Sequence, residues 1–117
     1  MVEFLSRMFR ARGGAAEWIE VDELQRRMPE VVVIDVRGTD EFRTPPGHLP
    51  GAINVPLPEL GGRIADVAGY HRPVVLVCKT DKRSARAADV LTAAGVRCVS
   101  VLRGGTDGWH AHGLPLD

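Results

Sequence analysis

Two runs constrain the fold more than anything else in this chain: the β-branched Val31 to Val36, interrupted only by Asp35, and the apolar Val74 to Val77. Runs of this kind suit strands buried on both faces, because branched side chains pack well on a pleated surface and leave no polar face for water. The period then changes. Ala87, Val90, Leu91 and Ala94 fall at i, i+3, i+4 and i+7, one face of a helix, and Gly95 is a natural stop. Strand, loop and helix therefore follow one another over residues 74 to 94.

The same alternation runs through the rest of the chain. Trp18 to Val21 predicts a short strand, and Asp22 then caps a helix running to Arg27, which ends before Pro29. Asp40, Glu41 and Phe42 begin a short helical turn, and Pro45, Pro46, Gly47, Pro50 and Gly51 force an irregular connection. Ala52 to Val55 predicts a strand, residues 59 to 68 a helix, and Val99 to Leu102 a further strand that Gly104 and Gly105 break before a turn of helix around Trp109. Alternating elements of this kind imply an α/β layer fold on a mainly parallel sheet.

At 117 residues the chain suits one domain with its own core. Fifteen basic and fifteen acidic side chains give no formal net charge, which argues against a dedicated nucleic-acid binder. Two cysteines, Cys78 and Cys98, make no disulfide framework, and reduced thiols in the cytoplasm are the expectation. Cys98, between Arg97 and Val99, is expected on a strand in the core. If the two thiols met, a reversible disulfide would follow. Residues 1 to 12 carry Phe4, Leu5, Met8 and Phe9 among Arg7, Arg10 and Arg12. A helix there would be amphipathic, packing on the domain or a partner, with contact to anionic lipid as the alternative. Gly13, Gly14, Ala15 and Ala16 form a joint, so residues 1–16 are expected to be an arm and residues 17–117 the domain.

The chemistry concentrates at Cys78, Lys79, Thr80, Asp81, Lys82 and Arg83, between the apolar run and the helix. In open parallel sheets ligands bind beyond the carboxyl ends of the strands, where Cys78 and the segment Asp35 to Arg37 both fall. A helix N-terminus offers unpaired N–H groups and the positive end of its dipole, which favour a thiolate over a thiol. Successive N–H groups from Cys78 to Ser84 would cradle an anion or the terminal sulfur of a persulfide. Four residues separate Cys78 from Arg83. A cysteine phosphatase places five there to wrap a tetrahedral phosphate, so the tighter loop fits a sulfur atom better.

With this loop, Asp35-Val36-Arg37, Glu41-Phe42 and Gly47-His48-Leu49-Pro50-Gly51-Ala52-Ile53-Asn54 with Pro56, together with Gly104-Gly105, Trp109 and Gly113-Leu114-Pro115, the chain resembles a single-domain rhodanese or rhodanese-like sulfurtransferase. The resemblance implies a three-layer α/β/α fold with a five-stranded parallel sheet. It also implies a ping-pong reaction in which Cys78 takes sulfane sulfur from a donor such as thiosulfate and passes it to cyanide or a thiol, with no cofactor. Backbone amides from Lys79 to Ser84 would hold the persulfide, while Arg83, Lys79 and Lys82 would attract the donor. Asp35 and Arg37 would hold loops together, and Asp35, Arg37 and Glu41 are expected to form one ion-pair set.

Asp81 departs from the family's common loop, which has glycine there. Aspartate tolerates left-handed geometry, but its carboxylate beside an anion site is worth about 4 kcal/mol at 4 Å before screening, taking an effective dielectric of about 20. Thiosulfate is then expected to be a poor donor unless Lys79 and Lys82 offset the charge. Competing functions are a non-catalytic interaction module that docks a protein partner, and phosphatase or arsenate-reductase chemistry on the same cysteine. His110 and His112 point to different helix faces and lack ligand partners at zinc-like spacing, so no metal site is expected. His48 is expected to be a hydrogen-bonding turn residue, and Trp109 a packing anchor.

Overall fold

The two runs pair side by side. In the computed structural model, which describes residues 16–117, β1 (Glu17–Ile19), β2 (Val32–Asp35), β3 (Ile53–Asn54), β4 (Val74–Val77) and β5 (Val99–Leu102) form one sheet. Its order is β1-β5-β4-β2-β3 and every pair is parallel. The helix expected over residues 1–12 lies outside the described residues.

Parallel neighbours need crossovers, and the helices supply them: α1 (Val21–Arg27), α2 (Thr39–Arg43), α3 (Leu57–Leu60), α4 (Ile64–Ala68), α5 (Lys82–Ala93) and α6 (Gly105–Ala111). Because side chains alternate along a strand, each central strand feeds two cores. Val32, Ile34, Val74, Leu76, Val99 and Val101 pack on one face against Leu60, Val67, Ala87 and Leu91. Val33, Val75 and Val77 pack on the other against Leu24, Leu102 and Trp109. The result is three layers, α/β/α. Each fully buried Val, Leu or Ile contributes roughly 1.5–3 kcal/mol of transfer free energy.

Several boundaries differ from expectation for local reasons. The first strand stops at Ile19, and Val21 is buried in α1 instead; Glu20 holds the cap position expected of Asp22. Asp22 and Glu23 sit in the first turn of α1, where the dipole favours acids, and pair with Arg26 and Arg27 at 3.6 and 3.7 Å. The helix expected over residues 59–68 begins earlier and is divided by a 3-10 turn at Gly61–Arg63, since paired glycines hold a helix poorly. The long helix α5 begins at Lys82, two residues ahead of Ser84.

Cys98 is not on a strand. It precedes β5 with φ 59° and is half-buried. Its carbonyl accepts the Val74 N–H at 2.9 Å, at the start of β4, whereas Cys78 follows the end of β4 four residues later. At about 3.3 Å per residue the two thiols stand roughly 13 Å apart along the strands. A disulfide between them is out of reach, because bridged Cα atoms lie within about 7 Å.

Candidate active site

Strands β2, β4 and β5 are adjacent and parallel, so the loops after them meet at one edge. The buried Val36 N–H donates to the Val77 carbonyl at 2.9 Å, joining the first loop to the second. At the N-terminus of α6, the Thr106 and Asp107 N–H groups donate to the Cys78 and Lys79 carbonyls at 2.9 and 3.0 Å, joining the third. With those carbonyls engaged, the loop's N–H groups are left for a ligand: those of Thr80 to Arg83 have no acceptor among the described residues.

The thiol of Cys78 is 1% exposed and sits beneath this loop. Its Sγ lies 3.4 Å from both the backbone N and the hydroxyl Oγ of Ser84, itself fully buried in the first turn of α5. The Ser84 N–H donates to the sulfur, and the helix dipole points its positive end the same way, so the position favours negative charge. The sequence placed Cys78 and Ser84 at this loop, and the structure brings them into contact.

The charged residues are arranged differently from the expectation. Asp35 and Arg37 form a buried pair, with Arg37 Nη2 donating to Asp35 Oδ2 at 2.8 Å and to the Gly47 carbonyl at 3.0 Å. The side-chain amide of Asn54 donates to the Asp35 and Arg37 carbonyls at 3.0 and 2.9 Å. Glu41 is not a member of that hydrogen-bonded set. It reaches the cysteine loop and accepts two bonds from the Arg83 guanidinium, at 2.6 and 3.0 Å. The Arg83 bonds hold the Glu41 carboxyl below its usual range, and Glu41 in turn raises the guanidinium value.

Asp81 needs no left-handed geometry, since its φ is −153°. Its Oδ2 accepts the Gly104 N–H at 3.1 Å, so its carboxylate serves the third loop rather than capping α5. Lys79 Nζ donates to Asp107 Oδ2 at 2.8 Å. Lys82 is exposed and has no ionic partner among the described residues, and Thr80 is exposed on the loop. His48 places Nδ1 2.8 Å from the Phe42 carbonyl and stacks on the Phe42 ring, as a turn residue should. Trp109 is buried and donates to the Pro115 carbonyl at 2.8 Å, anchoring the closing segment.

Three contributors escaped the sequence reading as site residues: Asn54, Asp107 and Gly105. Gly105 has φ 57°, and a Cβ there would overlap the Cys78 and Thr80 carbonyl oxygens. The paired glycines marked a turn in the sequence, but the close approach across chain segments left no local signal.

Comparison with known proteins agrees with this fold. Residues 20–112 match the rhodanese-like domain family. A sulfurtransferase of Allochromatium vinosum is 31% identical over 101 residues, 84% of this chain and 92% of that protein. The HTH-type transcriptional regulator Rv0324 of Mycobacterium tuberculosis is 37% identical over 109 residues, 90% of this chain, yet the chain spans only 46% of that protein's length. The crystal structure of thiosulfate sulfurtransferase from Pseudomonas aeruginosa superposes with a TM-score of 0.78 at 33% identity, covering 87% of this chain and 20% of that one. Sheet order, the loop around Cys78 and these matches lead to one conclusion: this chain belongs to the rhodanese-like domain family.

Proposed function

We propose that residues 17–117 form a sulfurtransferase unit in which Cys78 carries sulfane sulfur as a persulfide. One observation carries this reading: Sγ of Cys78 lies 3.4 Å from the Ser84 N–H, under a loop whose next N–H groups lack protein acceptors among the described residues. In the first half-reaction the Cys78 thiolate attacks the outer sulfur of a small donor, the donor's bond to that sulfur breaks, and the leaving group departs with the electron pair. In the second, a thiol or cyanide attacks the terminal sulfur and Cys78 leaves as thiolate. Sulfur moves with no net change in the oxidation state of the enzyme thiol.

Each loop residue has a role in that cycle. The N–H groups of Lys79 to Ser84 hold the terminal sulfur, whose charge they favour as an oxyanion hole favours an oxyanion. Lys82 offers an unpaired charge at the entrance. Asp35, Arg37 and Asn54 hold the neighbouring loop in register.

The test is intact-protein mass spectrometry after treatment with thiosulfate and organic persulfides. The expected result is a one-sulfur mass increase that maps to Cys78 and disappears with cyanide. No adduct at Cys78 with any donor would overturn the reading.

A further inference from the structure

Most of the charge that the loop presents is already engaged. Lys79 is held by Asp107 at 2.8 Å and Arg83 by Glu41 through bonds of 2.6 and 3.0 Å, leaving Lys82 as the loop cation with no ionic partner among the described residues. Asp81 adds a carboxylate whose Oδ2 accepts the Gly104 N–H. Three cations and three carboxylates thus surround the mouth of Cys78, and their formal charges cancel. Attraction of a small anion from a distance scales with net charge at the mouth, and here the side chains add none to what the loop N–H groups supply.

The two candidate donor classes make different demands on it. Thiosulfate brings a dianion to a thiolate and releases sulfite, another dianion, so its transition state gathers charge that only a strongly positive site would offset. An organic persulfide in its protonated form, R–S–SH, brings no charge to the reacting sulfur. The Cys78 thiolate attacks the outer sulfur, the S–S bond breaks, R–S⁻ leaves with the electron pair, and Cys78–S–SH forms with its proton. Charge and electrons balance with one negative charge on each side.

We infer that, on the sulfurtransferase reading above, Asp107 and Glu41 set donor choice by neutralising Lys79 and Arg83, making the site selective for organic persulfides over thiosulfate. Asp107 is a specificity-determining positioning residue. It acts through Lys79, and nothing in the sulfur-transfer step requires its carboxylate.

The experiment compares the rate of Cys78 persulfidation by cysteine persulfide and by thiosulfate in the full chain. The natural protein is expected to favour cysteine persulfide by about tenfold or more, with a thiosulfate rate nearly flat between about 0.05 and 0.5 M salt. Asp107→Asn frees the Lys79 charge and is expected to raise the thiosulfate rate about three- to tenfold relative to the persulfide rate, with a new salt dependence confined to thiosulfate. Asp107→Glu should restore the original ratio, an outcome that a loss of loop packing would not give. A preference for thiosulfate in the natural protein, or a donor ratio unmoved by Asp107→Asn, overturns this inference alone. Absence of a Cys78 adduct with both donors overturns the sulfurtransferase reading and this inference with it.

Discussion

The two cysteines stand at opposite edges of one sheet, and the contrast between them shows what makes a thiol a candidate nucleophile. Cys78 follows β4 at the carboxyl edge, where Ser84 N–H and the start of α5 point at its sulfur. Cys98 precedes β5 at the amino edge, beside a cavity of about 420 Å³ also lined by Val67, His71, Arg72 and Arg97. Burial pushes the Cys98 thiol up, with Arg97 opposing only in part. The more buried cysteine has the oriented donors, and the one beside the cavity has none among the described residues. Preorganised dipoles, rather than volume, separate the two edges.

The sharpest way to break this comparison is to remove each thiol. Cys78→Ser is expected to abolish sulfur transfer by at least about a thousandfold, whereas Cys98→Ser leaves the Cys78 adduct within about twofold, measured by mass spectrometry and turnover. Equal losses from both would erase the distinction between the edges.

Stability should divide along the same line. Asp35→Ala strands the buried Arg37 charge and is expected to cost about 3–5 kcal/mol in urea denaturation. Gly105→Ala forces a Cβ into the Cys78 and Thr80 carbonyls and should cost about 2–4 kcal/mol while displacing the cysteine loop. Gly95 at the amino edge also has positive φ, 87°, but open space around it, so Gly95→Ala should cost only about 1 kcal/mol and leave transfer intact.

The smallest effects are electrostatic. Arg83 lowers the folded-state Glu41 value, so that pair stabilises the protein above the usual carboxylate range and the contribution is lost as pH falls through the lowered value. Both side chains are more than a third exposed, which keeps the effect below about 1 kcal/mol. The stability difference between the natural protein and Glu41→Gln should therefore be small at neutral pH and vanish in acid. Cys98 shows the opposite sign: burial raises its folded value, so its contribution is present below the ordinary thiol range and lost as pH rises through the raised value. In a Cys78→Ser background, the alkylation rate of Cys98 should reach half its maximum at a higher pH than that of an exposed cysteine thiol.

Strand positions were legible in sequence wherever burial on both faces produced a β-branched or apolar run, as in β2 and β4. The boundaries that moved were those settled by local competition, such as Gly61-Gly62 dividing a helical stretch and Val21 turning into the core. Cys98 was placed on a strand because Val99 and Val101 follow it, yet its positive φ puts it in the turn before β5. The site divided similarly. Cys78 with Ser84, and Asp35 with Arg37, were visible because spacings of six and two residues fix each set on its own loop.

The pairing of the charges was not visible. Arg83 finds Glu41 across 42 positions, and Lys79 finds Asp107 across 28. Sequence alone determined the layer fold, the position of the thiol at a helix start and the family, because these follow from periodicity and contiguous motifs. Only the tertiary structure decided which carboxylate neutralises which cation and that the two thiols cannot meet, because both depend on which loops a parallel sheet brings to each edge.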